Sequence, residues 1–301
     1  MPNWSEVLNE IQQIELHADI QKRSALDTVR RKYLKELSIH TGRNVIAYYS
    51  GWLQNEGRAS AIGDDDKNGF MNSVHLLDRN KGLDLLIHTP GGNLAATESI
   101  VDYLLSMFNG DIRAFIPQLA MSGGTMMACA CKEIWMGKES NIGPIDPQFG
   151  GVPAHGVINE FKRAIKETKE DPSTIPIWQT IVAKYNPAFI GECEHAITLA
   201  SDICEKWLER YMFAGSSTAK IQARAAVTRL NNHDETKTHS RHIHIDEAKS
   251  FGLNIKELES DKVLQDLVLT IHHSYMHTFA RSGVVKIVEN HDGKAIVYRG
   301  A

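Results

Sequence analysis

His88-Thr89-Pro90-Gly91-Gly92 and Ala120-Met121-Ser122-Gly123-Gly124-Thr125 decide how this chain is read. Each follows a short apolar run, Leu83-Asp84-Leu85-Leu86-Ile87 in the first case and Ile112-Arg113-Ala114-Phe115-Ile116 in the second. Each then passes through a glycine turn into a helix pattern, which makes the two stretches βα units in series. If their strands are neighbours in a parallel sheet, both turns lie at its carboxyl edge, where open α/β sheets place ligands.

Gly91-Gly92 lets the backbone approach a ligand with no Cβ between them. Ser122 stands where the second helix begins, and the first amides of a helix have no intrahelical partner. The expected geometry is a nucleophilic hydroxyl on Ser122 beside an oxyanion hole made by the amides of Gly92 and Gly123. Glycine turns and serine N-caps also serve purely structural ends. The weight lies on the pair, in this order and one βα unit apart.

Thr89-Pro90-Gly91-Gly92, Met121-Ser122-Gly123-Gly124 and Ser140-Asn141-Ile142-Gly143-Pro144-Ile145-Asp146-Pro147-Gln148 resemble the ClpP/crotonase superfamily. Within it the chain most resembles the serine dehydrogenase proteinase family, relatives of the signal peptide peptidase SppA. The likeness runs over about residues 45–258 and includes Thr238-His239 and Asp246-Glu247-Ala248-Lys249-Ser250-Phe251-Gly252-Leu253. It implies an α/β fold of the ClpP/crotonase ββα-spiral type and a serine peptidase that acts on peptide or protein without a cofactor. It also implies a homo-oligomer, since members of the superfamily usually assemble into rings. A crotonase-like lyase or isomerase acting on thioesters would use the same two amides, and an inactive oligomeric scaffold would keep the fold alone.

The base is where the chain departs from the pattern. ClpP-type enzymes carry a histidine at a place that falls here on Ile145 or Asp146. Three residues stand as replacements. Lys162 lies about where SppA-like Ser-Lys peptidases hold their lysine, and it would need burial to act near neutral pH. His239 precedes Ser240, which aligns with the third triad member of ClpP, and an imidazole is better tuned for proton transfer. Asp146 either orients His239 or holds a turn before Pro147. His88 is read as stabilising its own turn.

Periodicity places a helical segment over 3–38, with Val7, Ile11, Val29 and Leu34 on an apolar face and Glu6, Glu10, Glu15 and Asp19 on a polar one. That face is expected to pack on the body of the protein or on a neighbouring subunit. A strand follows over 45–49, and then a stretch holding Gly57, Gly63 and Asp64-Asp65-Asp66, read as a solvated loop or a first helical turn. Helices over 157–169, 178–185 and 192–214 form an insertion after the core motifs, placed as a lid or an assembly surface would be, with helix continuing to 232 and a polar loop over 231–238. A helix over 263–279 precedes two apolar strands around Asn290-His291-Asp292-Gly293, a hairpin signature expected as an appended arm. The chain thus divides into an amino-terminal helical segment (1–40), a catalytic domain (41–260) and a carboxyl-terminal helix with its hairpin (261–301).

With 301 residues and 42% hydrophobic content the chain can bury a sizeable core. Its 33 basic residues against 37 acidic ones give no reason to expect nucleic acid or an anionic membrane as partner. Neither a signal sequence nor a long apolar run is expected to anchor it, and Cys129, Cys131, Cys193 and Cys204 read as reduced core thiols of a cytoplasmic protein. His242 with His244 and His273 with His277 have ligand-like spacing, but no Glu or Cys pair completes a metal site.

Overall fold

The apolar runs ahead of the two glycine turns are neighbouring strands. A computed structural model describes residues 4–17, 24–55 and 60–300; Asp19 and Gly57, named above, lie outside the described residues. Two helices, α1 (Trp4–His17) and α2 (Ala25–Thr41), lead into β1 (Asn44–Ser50) and α3 (Asp66–Val74). Then come β2 (Leu83–His88), α4 (Leu94–Met107), β3 (Ile112–Ile116), β4 (Leu119–Ala120), α5 (Gly123–Cys129), β5 (Glu133–Met136) and β6 (Asn141–Ile142). A small ribbon of β7 (Gln148–Phe149) and β8 (Val152–Pro153) opens the insertion α6 (Ala154–Glu170), α7 (Ile175–Val182), α8 (Phe189–Trp207) and α9 (Ala219–Leu230). The chain ends through α10 (His233–Thr236), β9 (Ile243–His244), α11 (Ile245–Ser250), β10 (Ile255–Glu257), α12 (Lys262–Ala280), β11 (Val284–Asn290) and β12 (Ala295–Arg299).

The main sheet has the order β10-β5-β3-β2-β1-β11-β12. From β10 to β1 it is parallel, with Leu85 opposite Ala114 across β2 and β3. Successive side chains of a strand point to opposite faces, so Leu83, Leu85 and Ile87 enter one core while Leu86 enters the other. The first core is covered by α3, α4, α5, α8, α9 and α11, the second by α2 and α12. After β2 and β3 the chain makes a second, short extended step: Thr89 bridges Ala120, and β4 pairs with β6. Strand, short strand, helix is the repeat of a ClpP-like spiral, as the sequence implied.

The carboxyl-terminal hairpin is no appendage. β11 pairs antiparallel with β1, Tyr48 facing Val288, and so extends the core sheet. The glue is charged: Arg30 of α2 is fully buried and donates to Glu289 of β11 at 3.0 Å, and Tyr275 of α12 donates to the same carboxylate at 3.1 Å. The amino-terminal helices therefore pack on the body of the protein, with Val7, Ile11 and Val29 sharing a cluster.

Three local expectations are corrected. The segment expected as one helix is two, α1 and α2. Asp66 does stand in a first helical turn, that of α3, yet it is not solvated: it is fully buried, ion-paired with Lys286 of β11 at 2.6 Å and bonded by Tyr48 at 2.8 Å. The polar run expected as a loop contains α10. All four cysteines are buried free thiols, and no helix among the described residues is long and apolar enough to cross a membrane.

Candidate active site

The two corners are pinned side by side by backbone bonds. Thr89 N–H donates to Leu119 O at 3.1 Å and Met121 N–H donates to Thr89 O at 3.0 Å. Beyond that bridge the first turn tightens, with the Gly91 N–H on the Thr89 hydroxyl at 3.2 Å and Gly91 at φ +93°. A Cβ on Gly91 would lie 2.6 Å from the Ser122 Cβ and 2.9 Å from the Gly123 nitrogen, so only glycine permits this approach.

The Gly92 amide is aimed by its neighbours. Ile62 bridges Gly92 in parallel, taking up Gly91 O at 2.8 Å with its N–H and the Asn93 N–H at 3.0 Å with its carbonyl. In that arrangement the middle residue, Gly92, turns its own N–H away from Ile62. The Gly92 nitrogen is 3.5 Å from where a Cβ on Gly123 would stand, so both amides border one space. Asn93 then caps α4, its side-chain oxygen accepting from Ala96 N–H at 3.0 Å.

Ser122 holds the second corner in an unusual backbone state, φ +52° and ψ −115°. A non-glycine residue there carries strain that persists only where the surroundings over-determine it, and such residues cluster at functional sites. The surroundings do so through Thr125 of α5, whose hydroxyl lies 2.8 Å from Ala120 O and accepts the Gly143 N–H at 2.9 Å. The same contact locks the Gly143–Pro147 loop against the serine's helix. Ile145 N–H reaches Leu230 O of α9 at 3.0 Å, fixing the next residue, Asp146, in the interior.

Asp146 is the acid of this site's polar core. Its side chain is fully buried; Oδ1 accepts from His239 Nδ1 at 2.7 Å and Oδ2 from His233 Nδ1 at 3.3 Å. His239, Ser122, Gly92 and Gly123 line one cavity of about 450 Å³. Apart from Asn93 and Gln148 its remaining wall is apolar, from Pro90, Met126 and Ile145 to Ala196 and Ala200 of the insertion helix α8. The insertion thus roofs the site.

The other sequence candidates fall elsewhere. Lys162 is exposed on α6 and is not part of the cavity wall, so it lacks the burial that would tune a lysine as base. His88 is fully buried on the α12 side of β2, beside Trp52 and His272. His242 and His244 are exposed on either side of the buried Ile243, whereas His273 and His277 pack against the Trp4 ring at 5.9 and 4.0 Å. Among the described residues no group of three or more His, Cys, Asp or Glu is arranged to hold a metal ion.

Sequence reasoning missed His233, the Ile62 strut and which residues of the insertion would face the serine. His233 sits in a run of mixed polar residues with no period to mark it. Ala196 and Ala200 did leave a signal, two small residues four apart and hence on one face of a long helix, where bulky apolar residues would be usual.

The comparisons with known proteins bear on the family. Two uncharacterized proteins of Methanocaldococcus jannaschii are similar to the chain, one 32% identical over 111 residues and the other 34% identical over 107. Those matches take in 37% and 36% of this chain, and 38% and 36% of the relatives' own lengths. The family model for the ClpP-like SDH-type serine proteinase matches residues 14–270, from α1 through the glycine corners, the Asp146 loop and His239 into α12. A match over most of the chain, on a spiral whose serine corner faces its glycine turn, makes this protein a member of the ClpP-like SDH-type serine proteinase family.

Proposed function

We propose that the protein is a serine endopeptidase that cleaves peptide bonds through an acyl-enzyme on Ser122. One observation carries this reading: Ser122 and His239 open onto the same cavity while buried Asp146 bonds His239 from behind at 2.7 Å. With Nδ1–H donated to Asp146, the neutral imidazole has its lone pair on Nε2, which takes the serine proton. The hydroxyl oxygen then attacks the peptide carbonyl, and the amides of Gly92 and Gly123 hold the oxyanion. His239 passes its proton to the leaving amine, and a water activated by the same nitrogen releases the acyl group.

The reading extends to setting and assembly. Four buried free thiols suit a reducing compartment, and the cytoplasm is proposed on that ground. Ile165 of α6 and Ile177 of α7 are exposed, and such apolar surface on the insertion supports a homo-oligomer. A monomeric mass by light scattering at micromolar concentration would contradict it.

A fluorophosphonate probe tests the chemistry. It should label the protein at Ser122, and Ser122→Ala should lose both labelling and casein hydrolysis. Hydrolysis that continues unchanged in Ser122→Ala would overturn the assignment.

A further inference from the structure

We infer that His233 is a positioning residue of the proposed active site, holding the Asp146 carboxylate so that its other oxygen stays aimed at His239. The inference rests on the triad reading above and adds a fourth member to it. Asp146 has no exposed side-chain surface, and its two oxygens are divided between two imidazoles: His239 on Oδ1 and His233 on Oδ2. The division is not symmetrical in role. His239 lines the cavity with Ser122, whereas His233 is not part of the cavity wall and bonds the acid's other oxygen.

The local structure explains how His233 is held there. α9 docks at its carboxyl end, where Leu230 O takes the Ile145 N–H. The next residue, Asn231, reaches three ways: its amide nitrogen donates to the Ser201 hydroxyl at 2.7 Å and to Ile197 O at 3.4 Å, both on α8, and its oxygen meets His155 of α6 at 3.2 Å. α10 starts two residues on, closed by Lys237 N–H on His233 O at 2.8 Å. The helical insertion that roofs the cavity is therefore the scaffold that sets His233 against the acid.

A carboxylate buried with one oxygen unpaired is expensive, and it relieves the cost by rotating or by taking a proton. Either response weakens the hold on the His239 Nδ1–H, and with it the stabilisation of the imidazolium formed in the transition state. The loss then falls on the chemical step and spares substrate binding.

The test compares His233→Ala, which removes the donor, with His233→Asn, whose side-chain amide offers an N–H close to the place of Nδ1. Casein-derived fluorogenic peptide turnover and fluorophosphonate labelling are measured on the full chain, with thermal melting as a check of fold. His233→Ala should lower kcat and the labelling rate by about tenfold at nearly constant KM, and His233→Asn should recover most of that loss. A purely structural histidine would give no such recovery. Parental rates in a folded His233→Ala, or an asparagine variant as slow as the alanine one, would overturn the inference. His239→Ala and Asp146→Asn run alongside: if they too keep parental rates, the triad reading fails, whereas if only the His233 variants do, the triad stands and His233 is dismissed.

Discussion

His88 and His239 flank the same pair of glycine corners, one on each side of the sheet, and only one of them has the surroundings of a proton acceptor. His88 ends β2 on the α12 face, packed among the rings of Tyr49, Trp52 and His272 at 5.4, 4.4 and 5.0 Å. Burial, helped by His272, holds its imidazole well below the ordinary value, and no carboxylate among the described residues is bonded to it. His239 is partly exposed, opens onto the serine's cavity and has Asp146 bonded behind it. Proximity to the glycine corners is thus not enough. A base needs an open face toward the reacting group and a fixed charge to receive the proton's positive charge once it arrives.

The largest expected effect breaks the comparison if it fails. His239→Ala should reduce fluorophosphonate labelling and peptide turnover by about 10²–10⁴-fold, the usual contribution of a general base. His88→Phe, which keeps the ring packing, should leave turnover within about threefold of the parent, since that ring touches no reacting atom. Equal losses in the two variants would mean that the buried side of the sheet takes part in the chemistry.

Next in size is the corner between the two histidines. Gly91→Ala puts a Cβ 2.6 Å from that of Ser122 in a backbone state that costs an L-residue about 1–2 kcal/mol. If the turn relaxes, the Gly92 amide moves with it, so labelling should slow by about tenfold or more. The melting temperature shows whether the strain is felt in stability as well, and full activity in Gly91→Ala would show that the turn need not approach Ser122 so closely.

The buried pair makes an opposite, smaller prediction that concerns stability and not rate. Burial, with His273 adding to it, pushes His272 down to about 3, and His88 is lowered in the same direction. The unfolded chain takes up protons below pH about 6.5, where these two histidines in the folded chain do not. Their effect on stability is therefore neutral above that pH, and stability falls as pH drops below about 6.5, for His272 down to about pH 3, by at most about 1.4 kcal/mol per pH unit for each histidine. Melting curves of His272→Phe should show a shallower fall on acidification than the parent. An unchanged acid slope would mean that other groups set it.

The residues that could be read from sequence are those whose role is local. A strand, a glycine turn and a helix start are contiguous, and they fixed β2, β3 and both corners together with the proposal of Ser122, Gly92 and Gly123. Asp146 lay in the most family-specific stretch, and His239 was carried by its neighbour Ser240. The residues that stayed hidden depend on partners far away in the chain. Asp66 reads as part of a solvated loop or a first helical turn, with nothing local to announce Lys286 of β11, and nothing near Arg30 in the sequence announces Glu289. His233 likewise has no local mark, because what selects it is an acid on a different loop. The hairpin looked appended for the same reason: an antiparallel partner for β1 that follows α12 has no local signature.

Lys162 gives the smallest expected effect and the sharpest control on the comparison. A lysine that serves as base beside a serine must be stripped of water, since an ammonium with an ordinary pKa of about 10.4 holds its proton at neutral pH. α6 leaves Lys162 in solvent, and the wall of the cavity does not include it. Lys162→Ala should therefore leave peptide turnover and its pH profile unchanged and move stability by no more than about 0.5 kcal/mol. Were turnover to fall instead by the factor expected for His239→Ala, the insertion would have to swing α6 toward Ser122 in the working enzyme, and the partner that defines the base would be a moving helix in place of the fixed carboxylate of Asp146.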